Sequence, residues 1–201
     1  MSLILASGSP RRSEILDALG IDHQVHPAAV DEVSLAGERP EDHAERLARA
    51  KAAAVSGLHP GRWVLAGDTV VVVDGDLLGK PRDRDEAVGM LLTLQGRMHR
   101  VVSALALVRP AGLENGDGGD GRLFSGTEIT EVRFRPFERG FAEAYVDTGE
   151  PLDKAGAYGI QGKGAVLVEG IRGDYSGVVG LPVSLLVRLM EDAGRPYRFE
   201  V

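Results

Sequence analysis

The chain has 201 residues, 43% of them hydrophobic and 26% charged, with a formal net charge of -7. That length suits one large domain or two small lobes with ample material for a core. The absence of cysteine excludes disulfides and thiolate metal sites, and the acidic balance argues against nucleic acid as a partner. No apolar run approaches the roughly 20 residues of a membrane span, and the N-terminus lacks a signal-peptide pattern. A cytoplasmic protein without a membrane partner is the expectation.

In chain order, a strand is predicted over 2–6. It breaks at Gly8, where Ser9 stands in an N-cap position and Pro10 opens a helix over 10–19. Arg11 and Arg12 therefore fall in the first helical turn, the end at which the helix dipole disfavours cations. They make sense there if an anion such as phosphate is gathered by free N–H groups, hydroxyls and guanidiniums. The bland alternative is a solvated pair on an ordinary helix. A short strand near 22–27 leads to a loop holding Asp31 and Glu32. Paired loop acids are usually only solvated, but they can also give oxygen ligands to a hard divalent cation.

A helix is expected over 41–56, with Ala44, Leu47, Ala48 and Val55 on one apolar stripe. Lys51 falls on that stripe, so it either snorkels to solvent, the commoner outcome, or reaches into a cleft. Strands follow at 63–67, 69–73 and 76–79. Asp74-Gly75 is a two-residue hairpin signal that pairs Val73 with Asp76 and sets Lys80 opposite Thr69. A one-residue bulge would put Lys80 on the face of Asp68 instead. An Asp at a strand's start with a Lys across from it is a functional candidate; a plain cross-strand ion pair is the alternative.

A helix over 83–94, a strand over 98–108 and a strand over 123–135 come next. The Gly/Asp-rich stretch 110–122 between those strands reads as the flexible tip of a long hairpin within a single domain, 1–201. A helix at 137–147, a Gly-rich stretch over 153–164, a strand over 165–171 and a helix over 182–193 complete the chain. The Gly-rich stretch fits neither phosphate-binding glycine fingerprint. It is either a flexible turn or a close backbone approach that offers Gln161 to a base edge. The five histidines lack metal-ligand spacing, and His99 is expected to make a structural hydrogen bond. The elements together predict an α/β fold with a mixed sheet.

Several segments, taken together, resemble the Maf family. They are Ser7-Gly8-Ser9-Pro10-Arg11-Arg12, Asp31-Glu32, Gly67-Asp68-Thr69-Val70-Val71, Gly79-Lys80-Pro81, Gly96-Arg97-Met98-His99, 153–162 and Gly180-Leu181-Pro182. Maf proteins, first called septum formation inhibitors, are nucleoside triphosphate pyrophosphatases. The resemblance is ordered and spans nearly the whole chain. It implies a mixed, strongly twisted sheet with flanking helices, in two lobes around a central cleft, as in inosine triphosphatases. It also implies a divalent cation, Mg²⁺ or Mn²⁺, held by Glu32 and Asp68, and a homodimer.

The family's proton acceptor matches Asp68. Its phosphate-contacting serine and arginines match Ser7, Arg11 and Arg12; its cleft acid matches Glu32, and its cleft lysines match Lys51 and Lys80. In the branch that prefers dTTP and UTP, substrate choice is associated with residues that match Arg11, Thr69 and Gln161. The activity so implied is cleavage of a nucleoside triphosphate to the monophosphate and pyrophosphate. A non-catalytic nucleotide-binding regulator of cell division is the alternative, and a purine-directed pyrophosphatase of related fold is a third reading. The chain departs from the family pattern at Ser103, often threonine, at Gly177, usually polar, and in the length of 110–122.

Overall fold

The computed structural model describes residues 3–111 and 122–199. Its elements are β1 (Leu3–Leu5), α1 (Pro10–Ala18), β2 (His23–Val25), α2 (Pro40–Ser56), β3 (Trp63–Val73), β4 (Asp76–Leu78) and α3 (Arg84–Leu94). Then come β5 (Met98–Val108), β6 (Leu123–Phe134), α4 (Arg139–Val146), three 3-10 turns, β7 (Val168–Arg172), α5 (Tyr175–Val179) and α6 (Val183–Asp192). Seven strands form one mixed sheet in the order β2-β1-β3-β5-β6-β7, with β4 on β3. Among the described residues, only the β1–β2 and β1–β3 ladders are parallel. Among the described residues no helix is long and apolar enough to cross a membrane.

Strand alternation distributes the core. Leu65, Leu105 and Leu107 point to the face covered by α6, with Leu185, Leu186 and Leu189. Val64, Ala66, Ala104 and Ala106 point to the other face and meet Ala44, Ala48 and Ala52 of α2, whose small side chains bring helix and sheet close. A third cluster gathers α3, α4 and the far ends of β3 and β5 around Phe134 and Tyr158. The mixed sheet with flanking helices is the α/β arrangement expected from the sequence.

One gap in the sheet matters most. β5 occupies one edge of β3 over Val64–Val72. On the other edge β1 pairs only with Trp63–Leu65 and β4 only with Val71–Val73. Residues 66–70 of β3 are left without a strand partner on that edge, and Asp68, Thr69 and Val70 among them line a cleft.

The structure corrects several expectations. Strands 63–67 and 69–73 are one strand, because Gly67 serves close packing and not a break. A Cβ there would stand 3.1 Å from both Arg12 Nε and a Leu105 methyl carbon. Asp74-Gly75 does turn the chain, and Val73 does pair with Asp76, but the ladder ends at Leu78, so Lys80 lies beyond the strand. Ser9 occupies the N-cap position without a side-chain cap bond; its own N–H donates to Ser7 Oγ. The strand foreseen from 165 begins at Val168, because Gly162–Leu167 coils as a 3-10 turn. Helix α5 was not foreseen. The β5–β6 hairpin is present, closed by Arg109 N–H to the Arg122 carbonyl. Its expected tip lies, over 112–121, outside the described residues.

Candidate active site

A cleft of about 700 Å³ opens over the gap beside residues 66–70. That volume lies within the range of small-molecule pockets. Ser7, Arg11 and Arg12 reach it from the β1–α1 junction, Glu32 from the loop after β2, and Lys51 from α2. Asp68 and Thr69 come from β3, Lys80 from the segment after β4, and Gln161 from the loop between two 3-10 turns. All nine sequence candidates thus line one space.

The α2 side is ionic. Lys51 does not snorkel: its side chain is 11% exposed, and Nζ sits 2.7 Å from Asp68 Oδ1 and 2.6 Å from Glu32 Oε1. An ammonium on a buried stripe needs such partners. Burial alone would raise the Glu32 pKa, but the hydrogen bond and charge of Lys51, with Lys80 and Arg12, hold it below the usual carboxylate value. Lys80 is exposed and forms no ion pair among the described residues. Its charge faces Glu32.

Across the strand the chemistry changes. Arg12 is buried, 9% exposed, and its guanidinium is held by three different acceptors. Nε donates to the Gly180 carbonyl at 2.8 Å, Nη1 to Ser7 Oγ at 2.8 Å and Nη2 to Thr69 Oγ1 at 3.2 Å. Burial disfavours its charge, and Asp68 and Glu32 oppose that cost. Arg11 points along the cleft instead, with Nη1 3.4 Å from Asp153 Oδ2. The two arginines therefore play unlike parts. One is a fixed fork, while the other is a half-exposed cation on a weak ion pair.

Three residues outside the sequence candidates shape the site. Ser103 on β5 touches Thr69 Oγ1 at 2.9 Å. A lone hydroxyl in the run Val101-Val102-Ser103-Ala104-Leu105 was the available signal, since a buried hydroxyl needs a partner. Glu150 organises the Gln161 loop: Tyr145 O–H and the N–H groups of Lys163 and Gly164 donate to its carboxylate. Gly164 is required there, because a Cβ would lie 2.2 Å from the Gly159 carbonyl oxygen. Lys154 Nζ donates to the Glu150 carbonyl at 2.5 Å and to its neighbour Asp153 Oδ1 at 2.6 Å, on the same side of the cleft. His99 makes the expected structural bond, Nε2 to Tyr158 O–H at 2.8 Å.

Among the described residues no group of three or more His, Cys, Asp and Glu could hold a metal ion. Two carboxylates do converge on one point, where Lys51 Nζ lies between Glu32 and Asp68. Hard oxygen donors of that number suit an ion such as Mg²⁺, which keeps waters and takes further oxygens from phosphates. The residues fit a cation that arrives with its phosphate ligand.

Comparison with known proteins agrees with the motifs. A family model described as Maf-like protein matches residues 2–193. A dTTP/UTP pyrophosphatase of Symbiobacterium thermophilum is 50% identical over 96% of this chain and 95% of its own length. Its counterpart in Myxococcus xanthus is 48% identical over 96% and 93%, and that of Desulfotalea psychrophila 48% over 92% and 91%. Among solved structures, the Staphylococcus aureus Ham1 protein covers 98% of this chain and 92% of that one at 14% identity, with a TM-score of 0.40, a likeness too loose to carry weight. A family model spanning nearly the whole sequence, relatives near half identity and the shared motifs agree: the chain belongs to the Maf family.

Proposed function

We propose that this protein hydrolyses dTTP and UTP between the α and β phosphates, releasing the nucleoside monophosphate and pyrophosphate. Relatives with that name are 44–50% identical over most of the chain. The observation that carries the reading is Lys51 bridging Glu32 and Asp68 at the floor of a nucleotide-sized cleft. A carboxylate held at one oxygen by a lysine keeps its second oxygen for a water. Asp68 accepts a proton from the attacking water at Oδ2 while Lys51 steadies Oδ1. The water oxygen bonds to the α phosphorus as the bond to the bridging oxygen breaks, and pyrophosphate leaves.

The remaining cleft cations supply the positive field that a chain of net charge -7 otherwise lacks. Arg11, Lys80 and the unused N–H groups of Arg12 face the phosphates, where preorganised charge is commonly the largest catalytic contribution. Ser7 Oγ already accepts from Arg12 and from Ser9 N–H, so its own hydrogen is left to donate to a phosphate oxygen. Glu32 and Asp68 would hold a divalent cation, Mg²⁺ or Mn²⁺. Such an ion, when bound, neutralises phosphate charge and polarises the scissile group. Gln161, whose amide makes no hydrogen bond among the described residues, and Thr69 read the base.

Pyrophosphate release from UTP, dTTP, CTP, GTP and ITP, with Mg²⁺, Mn²⁺ or chelator, tests the reading. Release from UTP and dTTP that requires the cation is expected. Nucleotide binding without release from any of them would favour the non-catalytic regulator and overturn the proposal.

A further inference from the structure

The hydrogen positions in the network behind Thr69 follow from counting donors. The Gly177 carbonyl stands at the end of α5, where Leu181 N–H bonds Ser176 instead and residue 182 is a proline. Ser103 O–H fills the vacancy at 2.7 Å, and a carbonyl can only accept. Ser103 has one hydrogen, so that bond spends it. In the 2.9 Å contact between the hydroxyls of Thr69 and Ser103, Thr69 must therefore be the donor. Arg12 Nη2 has only hydrogens to give, so Thr69 Oγ1 accepts from it. Thr69 is left with no hydrogen for the cleft and one free lone pair.

Ser7 is its mirror image, joined through the same guanidinium: both of its lone pairs are used and its hydrogen is free. One cleft hydroxyl can only donate, and the other can only accept. An anion pairs with the first. The second needs a ligand N–H or O–H. The reacting water is the wrong partner, because Thr69 points to the opposite face of β3 from Asp68.

We propose that Ser103 is a specificity-determining positioning residue. By consuming the Thr69 hydrogen it locks Thr69 as an acceptor for the N3–H of a uracil or thymine ring, and so rejects cytosine, whose N3 is itself an acceptor. Two facing acceptors leave both unpaired, which a dry site penalises strongly. Ser103 touches no substrate; it acts through Thr69. At 1% exposure it is also shielded from water that could scramble the chain of bonds.

This inference rests on the pyrimidine-nucleotide reading above, and its test separates the two. Wild-type protein is assayed with UTP and CTP, then Ser103→Ala, Ser103→Thr and Thr69→Val, each checked for folding by thermal unfolding. In Ser103→Ala the Thr69 hydroxyl is released and can donate to cytosine N3. The UTP-over-CTP ratio of kcat/KM is expected to fall by about tenfold or more, partly through a gain with CTP. Ser103→Thr keeps the hydroxyl and restores the ratio. If Ser103→Ala does not fold, Thr69→Val takes its place, and the ratio should collapse through loss with UTP. A wild type that releases pyrophosphate from UTP, with Ser103→Ala reducing UTP and CTP equally, would overturn the inference while leaving the activity standing; equal loss would assign Thr69 to the ribose, which both nucleotides share. No release from UTP by the wild type would remove both.

Discussion

Asp68 and Thr69 are consecutive residues of β3, yet the sheet sends them to opposite faces and to unlike surroundings. On the α2 face, Asp68 meets a second carboxylate across one ammonium, a cluster of full charges whose balance depends on each member. On the other face, Thr69 meets a guanidinium and a second hydroxyl, which are themselves bonded to carbonyls around α5, a network that orients single hydrogen atoms. Charge clusters respond to protons and cations. Oriented hydrogen bonds respond to the shape and polarity of a ligand. The contrast assigns bond cleavage to one face and substrate discrimination to the other, with Arg12 connecting them.

The largest way to disturb this division is Lys51→Met. It leaves Glu32 and Asp68 facing each other with no cation between. Turnover should fall by about 10²–10⁴-fold as Asp68 loses its orientation. Stability should drop by roughly 2–3 kcal/mol, less than for a fully buried pair because Glu32 is half-exposed. Added Mg²⁺ should raise the unfolding midpoint of this variant more than that of the wild type. Equal shifts would mean that the carboxylates do not form a cation site.

Arg12→Lys attacks the link between the faces. One ammonium cannot reach Ser7, Thr69 and Gly180 with the geometry of a planar fork. A loss of about 100-fold in kcat/KM is expected, together with weaker discrimination between UTP and CTP. Full activity in a steady-state assay would show that the fork is dispensable. Gly164→Ala acts farther away: its Cβ must push the Gly159 carbonyl, and with it the loop that carries Gln161. KM for UTP should rise about tenfold with kcat nearly unchanged, since the binding lost is made equally in the ground and transition states.

The smallest effect on activity belongs to His99, which lies outside both faces. Burial lowers its pKa to about 4. The unfolded chain takes up a proton near pH 6.5 that the folded chain refuses, so stability is full above that pH and declines as pH drops toward 4. The decline amounts to about 3 kcal/mol. Urea titrations across that range should show this slope, and His99→Gln should flatten it. An unchanged slope would trace the acid sensitivity to other groups.

The Asp68 face was far more legible in the sequence than the Thr69 face. The stripe of α2 placed Lys51 on a buried surface, and the Asp74-Gly75 turn set the β3–β4 register correctly. Whether Lys51 turned inward or outward was not readable, because its carboxylate partners come from a loop and a separate strand. Lys80 was misplaced because pairing stops at Leu78, and nothing local announces where a ladder ends. Helix α5 has five residues, too few to display a helical period, and is anchored by the Asp174 side chain on Gly177 N–H. The Gln161 loop is shaped by Glu150 and Tyr145, so its glycines read as freedom where the fold uses them for close contact. The Ser103 chain joins four segments far apart in sequence, and its direction emerges only when every hydrogen is counted.

Single-turnover hydrolysis of UTP by Asp68→Asn and Thr69→Val, measured in parallel with equilibrium nucleotide binding, tests the division between the two faces most directly. Asp68→Asn is expected to bind UTP within a few-fold of wild type but to cleave it about 10²–10⁴ times more slowly. Thr69→Val is expected to keep the rate of cleavage at saturation but to lose its preference for UTP over CTP. Near-normal cleavage by Asp68→Asn, or a preference left intact by Thr69→Val, would contradict that division.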